Sequence, residues 1–272
     1  RYILTNRDLA EWVHRDFTYQ GGLYAAQILL GLGPNALSDG NPYKTSLNQS
    51  GFVTFGAAYV VSLVGRVANE ALKATWFQKW LVHRRLRPEE FAGRVHYHLL
   101  GAASYPINPE LLSKTAPGGV LDRIYSLNAS KNGGVGTYLL SQVYPEGSPI
   151  FPAYPSGHAA ILGACVTVLK ALFLEGFVLP NPVVPDPTGQ TLVPYVAPPG
   201  EAPLTIGGEL NKLAFNIGMG RDAAGIHWRS DIDQGNVLGE TVALAILRGE
   251  KELYNEPVTF TVTKFDGTTV TI

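Results

Sequence analysis

The sequence predicts a mainly α-helical protein with a small β-hairpin at its C-terminal end. Apolar residues recur at helical spacing in several long segments, whereas the tail TFTVTKFDGTTVTI alternates as strands do. The composition, 46% hydrophobic and 16% charged, is that of a globular protein. A chain of 272 residues fits one large domain or two small ones and can bury a core of its own; we expect residues 1–272 to form one helical-bundle catalytic domain.

Helix boundaries follow from capping residues, glycines and prolines. Asn6 is a candidate N-cap for the first helix, Gly33 a candidate C-cap for the second, and Pro88 can open the fourth. The longest predicted helix, 52–80, should lie at the centre of the bundle, with Gly65 as a candidate break. The predicted helices span residues 6–16, 22–32, 52–80, 88–102, 121–132, 136–144, 157–173, 209–219 and 230–248.

The other segments are predicted to be loops or strands. Residues 38–48 and 105–119 are rich in turn-forming residues, and the second of these segments has room for a short helix. Residues 180–203 hold eight prolines and no helical period, so we expect a long surface loop. Residues 257–272 form the predicted hairpin, with Asp266-Gly267 at its turn.

Charge and cysteine content exclude several classes of protein. The net charge of −1 argues against nucleic-acid binding through bulk electrostatics, so any anion site must be a local concentration of cations. The single cysteine, Cys165, lies in an apolar run; we expect it to be buried, and no intrachain disulfide can form. No uncharged apolar stretch reaches the ~18 residues of a transmembrane helix, so no membrane span is expected.

The segment YPSGHAA places Ser156, Gly157 and His158 directly before an apolar helix. A helix N-terminus offers free N–H groups and partial positive charge, which suit an anion. The alternative is a common serine N-cap with an incidental histidine beside it.

The segment GRDAAGIHWRSD contains Arg221 and, six residues on, His227. If this segment is helical, Asp231 shares a face with His227 and can accept a hydrogen bond from one imidazole nitrogen. The other nitrogen would then be free to act as a base, ligand or nucleophile. The alternative is a surface turn in which Arg229 pairs with the acids.

The segment KWLVHRRLRP carries Lys79, His83 and Arg87 at intervals of four. These three side chains would share one narrow face if the helix continued to Pro88, with Arg84 and Arg85 pointing elsewhere. The alternative is a basic helix C-terminus favoured by the helix dipole. That alternative explains the charge of this segment but not its recurrence in the other two.

Together the three segments supply the groups that surround a tetrahedral oxyanion such as phosphate or vanadate. They contain three cations, a hydroxyl, a glycine amide and two histidines. In this order they resemble the active-site signature of the vanadium-dependent haloperoxidases and of their relatives, the type 2 phosphatidic-acid-phosphatase-like acid phosphatases. That signature is a lysine followed by Arg-Pro, then Pro-Ser-Gly-His, then an arginine with a histidine six residues on. The words KWLVHRRLRPEEFAG and GRDAAGIHWRSD look like those of algal bromoperoxidases.

The resemblance implies a role for each matching residue. His227 would coordinate vanadium, and Asp231 would orient it. Lys79, Arg87, Arg221, Ser156 and the Gly157 amide would hold the vanadate oxygens, and His158 would help to deprotonate hydrogen peroxide. Lys79 would also polarise the bound peroxide. Halide, bromide above all, would then be oxidised to a hypohalous-acid equivalent that halogenates small organic substrates.

One position departs from the algal pattern. Algal bromoperoxidases carry a second histidine seven residues before the one that corresponds to His158, and this chain has Phe151 there, as chloroperoxidase-type members do. An aromatic ring cannot donate a hydrogen bond but can help to desolvate halide. We expect Phe151 to influence halide choice and the behaviour of His158.

Two other functions remain open on the sequence. An acid phosphatase could use the same pocket, with His227 as nucleophile, His158 as acid and phosphate in place of vanadate. A non-catalytic oxyanion-binding subunit would need the cations but not both histidines. His14, His83, His96 and His98 are interpreted as ordinary histidines.

The algal enzymes are roughly twice as long as this chain, which resembles only their C-terminal half. A half-length chain would expose apolar helix faces that call for a partner. We therefore expect a homo-oligomer, or a partner chain that supplies an N-terminal helical half.

Overall fold

The structure is a computed structural model that describes residues 1–272 and confirms the mainly α-helical class. The helices are α1 Asn6–Arg15, α2 Gln20–Leu30, α3 Ala57–Phe77, α4 Pro88–Leu99, α5 Pro109–Leu112, α6 Val120–Lys131, α7 Gly157–Leu172, α8 Ile206–Ala223 and α9 Arg229–Lys251. The strands are β1 Val183–Pro185, β2 Leu192–Pro194, β3 Thr261–Thr263 and β4 Thr269–Thr271, paired as two antiparallel hairpins. None of the helices combines the length with the apolar composition that a membrane span requires.

Helix α7 lies at the centre of the bundle, where we had expected the segment 52–80. Every residue of α7 from Ala159 to Leu172 is buried, and α3, α8 and α9 pack around it. The backbones of α7 and α9 touch: a Cβ at Gly239 would lie 1.9 Å from the carbonyl oxygen of Ala160. Cys165 is buried in this core, as expected.

Helix α3 is shorter than its hydrophobic pattern predicts. It begins at Ala57, runs through Gly65 without a break and ends at Phe77. A π-helical turn, Gln78–His83, follows, and Arg84 adopts a left-handed conformation with φ of 47°. The apolar period continues to residue 82 in the sequence, but Leu81 and others in the turn are exposed.

Several other boundaries differ from the prediction. The N-cap of α1 is Thr5, not Asn6, because Thr5 and Asp8 form a capping box. Helix α2 ends at Leu30, and Gly33, with φ of 82°, precedes a short 3₁₀ turn. The predicted helix 136–144 is wrong: this segment has no regular secondary structure, and its backbone is held by contacts to α6 and to the end of α8.

The C-terminal hairpin formed by β3 and β4 is confirmed, with Gly267 at φ of 82° in its turn. The proline-rich segment also contains a hairpin, β1 with β2, which the sequence pattern did not predict. Helices α8 and α9 both extend beyond the predicted ranges. The bundle therefore brings the beginnings of α7 and α9 and the end of α8 to one place.

Candidate active site

The three predicted segments converge around the N-terminal ends of α7 and α9. The turn after α3, the loop before α4 and the last turn of α8 complete the site. We call the cations of this site, Lys79, Arg87 and Arg221, the cradle. All three are at least nine-tenths buried, which is unusual for basic side chains.

Lys79 reaches the cradle from the π-helical turn, a feature often found at functional sites. Its Nζ donates to the carbonyl oxygens of Pro152 and Ala153 at 2.6 and 2.8 Å. An ammonium has three donors, so one is left for another acceptor. Burial, and next the charge of Arg87, lower the pKa of Lys79 to about 7.

Arg87 is the N-cap residue of α4 and is 1% exposed. Its Nε donates to the Phe151 carbonyl, and its Nη1 donates to the Ile226 carbonyl and to Nε2 of His227, at 2.8 to 3.0 Å. The Nη2 atom is buried without a partner. Burial and the charge of Arg221 lower the pKa of Arg87 to about 10.

Arg221 projects from the last turn of α8, where its Nη1 donates to the Val13 carbonyl at 3.0 Å. Its Nε is buried without a partner, and the guanidinium lies 5.7 Å from the Tyr144 ring. Burial lowers its pKa. The cradle thus holds buried donor atoms that have no hydrogen-bond acceptor in the protein.

His227 faces the cradle in one defined tautomer. Its Nε2 accepts from Arg87, which can only donate, so the proton must be on Nδ1, which donates to Oδ2 of Asp231 at 2.9 Å. Burial, with the charges of Arg87 and Lys79, holds the pKa of His227 well below its ordinary value. A neutral imidazole whose Nε2 lone pair faces the Arg87 guanidinium is suited to bind an electrophilic centre.

The turn that presents His227 differs from the predicted helical face. Gly225, with φ of 82°, turns the chain after α8, and a Cβ there would lie 2.8 Å from the Ser141 carbonyl oxygen. His227 precedes α9, while Asp231 lies in its first turn and accepts from the Trp228 amide. The predicted pair forms across this helix start. Arg229 instead pairs with Asp233 on the surface.

The beginning of α7 lines the other side of the site. Ser156 is the N-cap, is fully buried, and accepts a long bond from the Ala159 amide at 3.4 Å, which leaves its hydroxyl hydrogen free. The Gly157 amide is among the first N–H groups of α7, which have no partner within the helix. Ser156 donates its own amide to the Asp231 carbonyl at 2.9 Å, which links the two helix starts.

His158 sits in the first turn of α7, and its Nε2 contacts Oδ1 of Asp16 at 2.9 Å. Burial lowers the pKa of His158, although Asp16 opposes that shift. Asp16 is itself buried, and its Oδ2 has no partner. With Nε2 engaged by the carboxylate, Nδ1 is the nitrogen that remains for chemistry.

Phe151 lies at the edge of the cradle and is 39% exposed. Lys79 Nζ and the Arg87 guanidinium lie 5.2 and 5.0 Å from its ring centre. The ring therefore supplies a partly exposed apolar wall beside Lys79 and Arg87.

The predicted shared face of Lys79, His83 and Arg87 is wrong, because the helix ends between them. Lys79 and Arg87 meet through the turn and the loop instead, while His83 packs edge-on against Tyr154. Arg85 had been expected to point away, but its Nη1 donates to Oδ1 of Asp231 at 2.8 Å.

Sequence reasoning missed Asp16 and the contact made by Arg85. Asp16 lies 142 positions from His158, and Arg85 lies 146 positions from Asp231. No local spacing pattern could have connected either pair. The only signal was an acidic residue at the end of the first predicted helix, which is too common to identify a site.

The arrangement fits a tetrahedral oxyanion. Unpartnered donors on Arg87 and Arg221, a spare donor on Lys79, the Ser156 hydroxyl and the Gly157 amide can each bind an oxygen. Low polarity around buried cations strengthens their attraction for such an anion.

Comparison with known proteins agrees with this geometry. Residues 122–256 match the family model described as the VCPO second helical-bundle domain. The chain is 40% identical to the vanadium-dependent bromoperoxidase of Corallina pilulifera and 39% identical to that of Ascophyllum nodosum; the alignments cover 100% and 98% of this chain and 47% of each relative. The chain thus spans about half the length of the curated relatives it matches.

A solved structure shows the same fold. The homohexameric second vanadate-dependent bromoperoxidase of Ascophyllum nodosum superposes with a TM-score of 0.88 and 31% identity, over 99% of this chain and 49% of that one. The similarity therefore extends over nearly the whole chain.

Proposed function

Because the chain belongs to the vanadium-dependent haloperoxidase family, we propose that it binds vanadate in the cradle and oxidises halide with hydrogen peroxide. The observation that carries the proposal is the cradle of three buried cations with unpartnered donors, facing Nε2 of His227. We also propose that residues 1–272 act as one helical-bundle catalytic domain. Bromide is the proposed halide and small organic molecules are the proposed acceptors, because the relatives are named bromoperoxidases.

In this proposal the protein residues divide the work. Lys79, Arg87 and Arg221 neutralise the oxyanion, and Ser156 with the Gly157 amide completes its hydrogen bonds. His227 would hold the central atom through Nε2, in place of the hydrogen bond that Nε2 accepts from Arg87 Nη1. Bound vanadate would supply a Lewis acid that activates peroxide without a change in its own oxidation state.

His158 is proposed to handle the proton. Its Nε2 contacts Asp16, so Nδ1 can take a proton from incoming peroxide. The lowered pKa of His158 favours the neutral form that can act as a base. Lys79, with its spare donor, would donate to an oxygen held in the cradle and draw electron density from it.

Bromination of a dimedone-type substrate with peroxide and bromide tests the proposal directly. The protein is assayed before and after vanadate is removed, and again after orthovanadate is restored. We expect activity to return with vanadate and to fall when phosphate competes for the cradle. Vanadate-inhibited phosphatase turnover without bromination would support the acid phosphatase instead, which the names of the relatives do not favour.

Phe151 is proposed to tune halide choice. Its ring forms an apolar wall against Lys79 and Arg87 and can strip water from an arriving halide. The substitution Phe151→His replaces this wall with a hydrogen-bonding group, so we expect the ratio of bromide to chloride turnover to change. Equal ratios in the two proteins would refute this role.

We propose that the chain assembles with copies of itself or with a second chain that supplies further helices. A relative of similar fold forms a homohexamer, and many large apolar side chains are exposed here, Trp76 and Trp80 among them. Light scattering after size exclusion should give a mass above 29.3 kDa. A monodisperse monomer would count against assembly with copies of itself.

A further inference from the structure

We propose that Arg85 is a positioning residue, which holds the Asp231 carboxylate so that His227 keeps Nε2 toward the cradle. The expected effect on vanadate binding rests on the proposed function, but the hydrogen bonds that carry the inference all lie within the protein. It adds to the site a side chain that touches neither the cradle nor His227.

Asp231 is fully buried and has both carboxylate oxygens engaged. Oδ2 accepts from His227 Nδ1 and from the Trp228 amide, at 2.9 and 3.0 Å. Oδ1 accepts from Arg85 Nη1 at 2.8 Å. Arg85 is the cation in direct contact with this carboxylate, because Lys79 and Arg87 donate to other partners.

The contact matters because a carboxylate can rotate about its last side-chain bond. Oδ2 has two donors from neighbouring positions of the chain, but Oδ1 is tied to a residue 146 positions away. Without the Oδ1 contact, the carboxylate can turn and loosen its hold on Nδ1 of His227. The imidazole would then keep only the bond from Arg87 Nη1 to Nε2 as a restraint on its tautomer and its direction.

Arg85 is itself held in place. The same Nη1 donates to Ser230 Oγ at 2.7 Å, and the guanidinium lies 5.4 and 5.8 Å from the rings of Trp228 and Tyr154. Trp228 is tied down by its indole N–H, which donates to the Leu86 carbonyl at 2.9 Å. This packing restricts the guanidinium to one orientation, as positioning requires.

The backbone of Arg85 connects to the cradle as well. Its carbonyl oxygen accepts from the Ala153 amide at 2.9 Å, and the Ala153 carbonyl in turn accepts from Lys79 Nζ. A substitution at position 85 changes the side chain and keeps this backbone link. An effect of the substitution on His227 is therefore an effect of the guanidinium.

Arg85 can be reached from outside the protein, which makes the proposal testable by chemical rescue. Its side chain is 38% exposed, and with Leu86, Phe91 and Trp228 it lines a surface pocket of about 440 Å³. When the side chain is shortened to alanine, this opening can admit a free guanidinium ion.

The test compares Arg85→Ala and Arg85→Lys with the control Arg229→Ala. Arg229 is a neighbouring arginine whose Nε pairs with Asp233 on the surface. The first measurement is the ¹⁵N shift of the His227 ring nitrogens in vanadate-free protein, which reports the tautomer. The second is the equilibrium affinity for orthovanadate and for inorganic phosphate.

For Arg85→Ala we expect a mixture of His227 tautomers and a roughly 10- to 100-fold weaker affinity for vanadate. Low millimolar guanidinium chloride should restore both, whereas sodium chloride at equal ionic strength should not. Arg85→Lys should retain part of the affinity, and Arg229→Ala should match the wild type.

A single Nδ1–H tautomer in Arg85→Ala would overturn the proposal, and so would a loss of affinity that guanidinium cannot rescue. An equal effect of Arg229→Ala would also overturn it. If the proposed function fails instead, wild-type protein will show no vanadate-dependent bromination, while the tautomer of His227 still responds to position 85.

Discussion

A buried lysine lies near each end of α7, and the two ends are roughly 20 Å apart. The two lysines have opposite surroundings. Beyond the N-terminal end, Lys79 lies in the cradle with two arginines for neighbours, and burial and Arg87 lower its pKa. Near the C-terminal end, Lys170 donates to the Thr263 carbonyl and to Asn211 Oδ1, at 2.5 and 3.2 Å.

The surroundings of Lys170 are those of a structural charge. Its Nζ lies 4.8 Å from the Phe265 ring. Burial lowers the pKa of Lys170, as it does that of Lys79, but here the charges of Glu175 and Glu240 oppose the shift. Those two acids accept from the backbone amides of Thr263 and Phe265, both at 2.7 Å. Lysine and acids together fasten the C-terminal hairpin to the bundle.

The cradle is compensated less fully: Asp231 favours the charged forms of Lys79 and Arg87, but no carboxylate contacts any of the three cations. Like charges lie together and donor atoms of Arg87 and Arg221 are unpartnered, so the arrangement costs stability until an anion arrives. A buried charge with its partners present therefore indicates structure, and a buried charge without them indicates a binding site. Comparing substitutions at the two lysines tests this distinction.

The largest expected effect is on activity, from Lys79→Met. Removal of the charge should lower vanadate-dependent bromination by roughly 10²- to 10³-fold, because a group proposed to stabilise the reacting oxygens is lost. The vanadate-free protein should lose less stability than Lys170→Met does, because relief of the repulsion with Arg87 offsets the donor lost by the Pro152 and Ala153 carbonyls. Steady-state rates and urea unfolding of the vanadate-free protein measure the two effects; a loss of stability as large as that of Lys170→Met would contradict the comparison.

The opposite result is expected for Lys170→Met. The Thr263 carbonyl and Asn211 lose a buried donor, so the free energy of unfolding should fall by about 1–3 kcal/mol. Vanadate affinity per folded molecule should not change, because Lys170 contacts the hairpin and not the cradle. Urea unfolding and vanadate titration of this variant check both statements, and weakened vanadate binding in folded protein would show that the two ends of α7 are coupled.

The sequence predicts α7 and α4 well because their signals are local. A serine before a long apolar run marks the start of α7, and Pro88 followed by two acids marks α4. The end of α3 was missed because its apolar period continues into a turn whose side chains are exposed. Hydrophobic spacing reports helical potential and cannot tell which apolar faces are covered.

The site shows the same contrast between local signals, which can be read from the sequence, and long-range contacts, which cannot. The cradle, Ser156 and His227 could be named from the three segments, because each segment is contiguous and its residue types indicate an anion site. Their supports could not, because Asp16 and Arg85 reach His158 and Asp231 across more than half of the chain. Only the folded bundle places these residues together.

The smallest expected effect is a dependence of stability on pH that originates in the cradle. The pKa of Lys79 is about 7 in the folded, vanadate-free protein and near its ordinary 10.5 when unfolded, so between these values the unfolded chain binds more protons. Stability contributed by this group must therefore rise with pH above about 7, by about 1 kcal/mol from pH 7 to 8. Lys79→Met should lack this rise, whereas Lys170→Met should keep it. Saturating phosphate should weaken it, because an anion stabilises the ammonium. Urea unfolding at several pH values measures how the free energy of unfolding changes with pH. Equal slopes in wild type and Lys79→Met would mean that the lowered pKa of Lys79 does not destabilise the folded protein.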